Sequence, residues 1–97
     1  MTYLMTHFWP GGTEQQYRAT LAAVHPENGL PAGQTYHGAG PTDGGFLIVV
    51  GWDSKASADR FVGEVLMPAM PVDGGFSGAP QERSAQAVNE LMAPPTG

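Results

Sequence analysis

Three histidines, His7, His25 and His37, are the side chains of this chain best suited to move a proton near neutral pH, because a free imidazole titrates at about 6.5. Such a base can draw a proton from a bound molecule, while Tyr, Trp or Asn side chains donate to a developing oxyanion. Aromatic residues stand close to two of the three: Tyr3 and Trp9 bracket His7, and Tyr36 adjoins His37. Metal chemistry is poorly served. No His-x-His or His-x-x-x-His pair occurs, and there is no cysteine to supply a thiolate ligand, a nucleophile or a disulfide. The glycine pairs at 11–12, 44–45 and 74–75 fit neither phosphate-loop pattern and read as turns.

Each chemical role has a plainer competitor. His7 and His37 could each be partly buried structural residues, and a one-residue register change would exchange the faces they occupy. His25 precedes Pro26 at an expected helix end, where an imidazole favours the last carbonyls. Trp52 ends a strongly apolar run and suits a packing anchor. Met5, Met67, Met70 and Met92 read as gap-fillers or pocket lining.

The elements that must position these residues follow from local pattern. Thr2 to Trp9 alternates, with Tyr3, Met5, His7 and Trp9 on one face and Leu4, Thr6 and Phe8 on the other. Thr13 and Gln16 have capping-box spacing and predict a helix start at Thr13, with Tyr17, Leu21 and Val24 forming its apolar stripe. Gln34 to Gly40 predicts a second strand, with Tyr36 and His37 on opposite faces, and Pro41 to Gly45 a hairpin turn. Phe46 to Val50 is a continuous apolar run that predicts a strand buried on both faces. Asp53 or Ser54 then caps a second helix, whose stripe runs from Ala58 through Phe61, Val62, Val65 and Leu66 to Ala69 before Pro68 and Pro71 end or kink it. Residues 72–80 form a loop, and the pattern from Glu82 to Met92 fits strand or helix equally well. Residues 1–92 make one domain and residues 93–97 a frayed tail.

With the last element taken as a strand, the order is βαββαβ, an α+β fold of the ferredoxin-like kind: a four-stranded antiparallel sheet with both helices on one face. The other face, with Leu4 and Phe8, would be left in water unless a second copy covers it, which predicts a homodimer through the sheet face. Only four cations and a net charge of −5 argue against a nucleic-acid partner. No segment approaches 18 apolar residues and the first residues lack a signal-peptide pattern, so no membrane association and a cytoplasmic location are expected.

The element order, with Val50-Gly51-Trp52-Asp53-Ser54 running into a helix that carries Phe61, resembles the dimeric α/β-barrel superfamily. More narrowly the chain resembles the small proteins grouped with antibiotic-biosynthesis monooxygenases. Pro80 to Ser84 followed by Val88-Asn89 is similar to the last strand of an uncharacterised bacterial branch. The resemblance extends from about Thr2 to Met92 and is specific for fold more than for function.

It implies a pocket between the sheet and its own helices. Read onto this chain, that pocket would take His7 and His37 as catalytic candidates, with Tyr3, Trp9, Tyr36, Trp52 and Phe61 as substrate-binding ones. The activity implied is cofactor-independent oxygenation of an aromatic or polyketide-like small molecule, with no metal and no cofactor. A cyclase or isomerase in the same pocket, or a dimer that only binds a ligand or serves as structure, are the alternatives. The haem-degrading branch fits poorly: where those enzymes have an Asn on strand one and a Trp and a His on helix two, this chain has His7 and Phe61, and no histidine from Phe61 to Pro71.

Overall fold

In the computed structural model, which describes residues 2–24, 29–66 and 74–93, the alternating segment forms β1, Tyr3–Pro10. Pro10 ends it, and Gly11, at φ 70°, turns the chain. The Gly11 amide donates to the Gly44 carbonyl at 2.7 Å, which pins this turn to the hairpin beside it. Helix α1 spans Glu14–Val24. Its start is the expected reciprocal cap: the Gln16 amide donates to Thr13 Oγ1 at 3.2 Å and the Thr13 amide to Gln16 Oε1 at 3.0 Å.

Strands β2, Gln34–Thr42, and β3, Gly45–Trp52, form a hairpin closed by Asp43 and Gly44. Gly44 supplies the positive φ of 81° that an L-residue would adopt only under strain. Of the two candidate caps after β3, Ser54 is the one used, accepting the Ser57 amide at 3.1 Å. Helix α2 is Lys55–Phe61, shorter than its apolar stripe predicted, and it passes into a π-helical segment at Val62–Leu66. Over a single turn the apolar period does not distinguish α from π winding, and Gly63 inside the segment has low α-helix propensity. The ambiguous last element is a strand, β4, Gln81–Gln86, and residues 87–93 have no regular structure. The expected His25 cap, the stops at Pro68 and Pro71, Met67 and Met70, and most of the tail lie outside the described residues.

The sheet has the order β2-β3-β1-β4, and every neighbouring pair is antiparallel. This is an α+β domain compatible with the ferredoxin-like arrangement. Register aligns Met5 with Val50, His7 with Ile48 and Trp9 with Phe46 on the face that carries the core. One buried cluster joins Met5, Val50 and Trp52 to Ala58 and Phe61; a second joins Trp9 and Phe46 to Phe76, with Ile48 touching both. Trp52 and Phe46 are the most completely enclosed large side chains, and burial of each contributes about 1.5–3 kcal/mol of apolar transfer.

The opposite face differs from the expectation that β3 is covered on both sides. Within the single chain Leu47, Val49 and Leu4 are 37%, 39% and 43% exposed. Alternation sends every second residue of a strand to that face, and among the described residues no helix lies over it. No described helix is long and apolar enough to cross a membrane.

Candidate functional site

A cavity of about 70 Å³ lies between the core face of the sheet and the helices. Its floor is Met5, Ile48 and Val50, adjacent positions of the paired strands β1 and β3. Indoles from Trp9 and Trp52 and the rings of Phe61 and Phe76 make its walls, while α1 contributes Tyr17, Thr20 and Leu21. Aliphatic and aromatic groups therefore form nearly all of the lining, as in sites built to hold an apolar small molecule.

Both candidate histidines line this cavity, each with a partner that sequence reasoning did not identify. His7 pairs across strands with Glu82 of β4, and its Nε2 lies 3.0 Å from Glu82 Oε2. A carboxylate only accepts, so Nε2 carries a proton and neutral His7 keeps its lone pair on Nδ1. His37, on β2, has Nε2 at 2.7 Å from the Tyr17 hydroxyl. Burial pushes the Tyr17 phenol above its usual value, an effect that the Arg18 guanidinium partly opposes. A protonated phenol can donate to Nε2 of His37 or accept from an N–H there, so this contact couples the hydroxyl of Tyr17 to the tautomer of His37.

Three further polar atoms belong to cavity-lining side chains: Trp9 Nε1, Trp52 Nε1 and Gln34 Oε1. All three are buried without a hydrogen-bond partner among the described residues. The parent side chains are 7%, 1% and 8% exposed, so solvent does not satisfy these groups within the single chain.

The other sequence candidates separate cleanly. Trp9, Trp52 and Phe61 line the cavity. Tyr3 shares their face but packs on the first core cluster, its hydroxyl donating to Ser84 at 2.9 Å, and does not border the cavity. Tyr36 lies on the opposite face, 60% exposed and folded along its own strand over Gly38. Of the two adjacent β2 residues it is His37 that faces the helices.

Tyr17, Gln34, Phe76 and Glu82 were not singled out for the site. Tyr17 was legible as part of the α1 stripe, but its hydroxyl partner depends on how α1 lies over β2. Glu82 follows from register alone. Phe76 sits in a glycine-rich stretch with no periodic signal. Among the described residues no group of three or more His, Cys, Asp or Glu is arranged to hold a metal ion. Compared with family models, with curated proteins and with solved structures, the chain gives no significant match.

Proposed function

We propose that the cavity binds a small oxygenated aromatic molecule and that the chain is a cofactor-independent monooxygenase. The observation that carries this reading is His7, held by Glu82 through Nε2, on the wall of a cavity built mostly from rings and aliphatic groups. His7 takes the hydroxyl proton of an electron-rich phenol, and the resulting phenolate donates an electron to dioxygen. A C–O bond forms at a hydrogen-bearing ring carbon ortho or para to that oxygen, and the proton held by His7 returns to the peroxide to give a hydroperoxide. Its O–O bond then breaks as water leaves, so that the ring becomes a quinone and half of the dioxygen is reduced to water. In this mechanism His37, held at Nε2 by Tyr17, carries a proton on Nδ1 and donates a hydrogen bond from there to the oxygen on which negative charge collects.

The resemblance to antibiotic-biosynthesis monooxygenases supports the same reading and adds a homodimer formed through the exposed sheet face, where Leu4, Leu47 and Val49 would be withdrawn from water. Oxygen uptake with a quinol or anthrone substrate tests the activity. Turnover that falls in both His7→Ala and His37→Ala supports the assignment, and unchanged turnover in both removes histidine from the mechanism. A reaction equally fast without oxygen would point to a cyclase or isomerase instead.

One observation favours a second reading, a dimer that serves as structure without turnover. About 70 Å³ is less than the ~150 Å³ in which an engineered cavity holds benzene. Absence of both saturable binding and product in air would select that reading.

A further inference from the structure

The ring of Phe76 lies almost parallel to the Trp9 indole, with centroids 4.5 Å apart and planes 8° from parallel. This is the arrangement that a bound aromatic molecule would adopt on the same indole. Phe76 reaches it from a segment with no regular structure, flanked by Gly74 at φ 84°, Gly75 and Gly78 at φ 77°. Its amide donates to Thr20 Oγ1 at 3.3 Å, and its ring also meets those of Phe46 and Tyr17. Gly12 makes room for the ring, since a β-carbon at that position would come within 3.0 Å of Phe76 Cε1.

We propose that Phe76 is an internal stand-in for the ligand, and that the ligand is a single aromatic ring bearing hydroxyl or carbonyl oxygens which displaces Phe76 from Trp9. This rests on the cavity being a ligand site. Size and polarity argue for it separately. The existing space is too small for even one ring, but withdrawing Phe76 adds the volume of a ring at a place where a flat stacking partner already fits. The three buried polar atoms then specify the substituents. The indole N–H groups of Trp9 and Trp52 call for oxygen acceptors, and Gln34 Oε1 calls for a hydroxyl donor. A dihydroxybenzene supplies both; an unsubstituted hydrocarbon ring supplies neither. In this proposal Phe76 sets specificity for ring size, and the polar atoms set specificity for oxygenation.

The test is a titration of the full chain with resorcinol, kept free of oxygen so that no turnover intervenes, with toluene, which carries no hydroxyl or carbonyl, as the control. The two indole N–H resonances, assigned with Trp9→Phe and Trp52→Phe, report the polar contacts. Proton–proton contacts between Phe76 and Trp9 report the stack. Resorcinol should shift both indole signals downfield, abolish the Phe76–Trp9 contacts and bind about tenfold or more tightly than toluene. Phe76→Ala should bind resorcinol about tenfold more tightly than the wild type, because no ring need be expelled. Phe76→Leu, which keeps a buried apolar side chain, should show the same direction if the alanine variant does not fold. Persistence of the Phe76–Trp9 contacts at saturation, or no gain in affinity in either variant, overturns the proposal. Displacement by resorcinol with no quinol oxidised in air supports the stand-in and sinks the oxygenase. Quinol oxidation with Phe76 still seated on Trp9 overturns the stand-in and leaves the oxygenase standing.

Discussion

The Tyr17 hydroxyl and His37 Nε2, 2.7 Å apart, tie the helix that forms one wall of the cavity to the outermost strand of the sheet. Because burial raises the Tyr17 pKa, the phenol also makes stability depend on pH. Above the ordinary tyrosine value of 10.0 the unfolded chain releases this proton more readily than the folded one, so the unfolded state binds fewer protons and stability falls as pH rises. The melting temperature of the wild type should drop from neutral pH to beyond 10, and Tyr17→Phe should lessen that drop. At neutral pH the same variant should lose about 0.5–1.5 kcal/mol, the net value of one hydrogen bond. A decline of equal steepness in both proteins would show that Tyr17 does not control it.

Glu82 is half exposed, so its contact with His7 contributes little to folding. Its expected effect is on chemistry. Glu82→Gln should leave chemical denaturation unchanged within about 0.5 kcal/mol while lowering kcat on a quinol substrate with a smaller change in KM, because the amide can donate as well as accept and no longer fixes the tautomer of His7. His7→Ala, which removes the base, should lower kcat about 10²- to 10⁴-fold. Equal kcat in Glu82→Gln and wild type would separate Glu82 from the reaction.

Trp52 is the test of the core. It is 1% exposed and packs on Phe61 with ring centroids 5.2 Å apart. Trp52→Ala should cost about 3–5 kcal/mol in urea unfolding, a large part of the ~5–15 kcal/mol that a small domain has. Trp52→Phe should cost less, since much of the ring contact is kept.

The exposed sheet face predicts assembly. Val49 is 39% exposed and directly paired with Thr6 and Gly38 near the centre of that face. Sedimentation should give a dimer for the wild type and a monomer with unchanged circular dichroism for Val49→Lys, since a buried lysine without a partner opposes association. A wild type that is monomeric at every concentration would reject the sheet-to-sheet dimer.

What was legible in the sequence was whatever depends on neighbours a few residues apart. Alternation gave the two faces of β1, the Thr13–Gln16 cap the start of α1, and the run from Pro41 to Gly45 the hairpin, though β2 continues through Thr42 and only Asp43 and Gly44 turn. What was not legible depends on register and on the placement of helices over the sheet. His7 meets Glu82 because β4 pairs with β1 at one offset; a shift by one residue would put Glu82 on the other face. The choice between Tyr36 and His37 had the same origin. The π-helical winding after Phe61 leaves no mark on an apolar period, and Phe76 reaches Trp9 through glycines whose positive φ values a sequence does not display.

The position of β2 and β4 at the two sides of the sheet bears on how growth of an assembly stops. Stacking two copies face to face hides side chains but leaves outer backbone amides and carbonyls free to recruit further chains, the route to fibres. Both borders carry deterrents. Pro41 deprives β2 of one amide, and its glycines at 38 and 40 weaken it as a template. All six residues of β4 are exposed, and Glu82 and Arg83 put charge along that border. With a net charge of −5 on every copy, the backbone that builds the sheet is kept from extending it, and concentrated solutions of the protein are expected to stay free of fibrils.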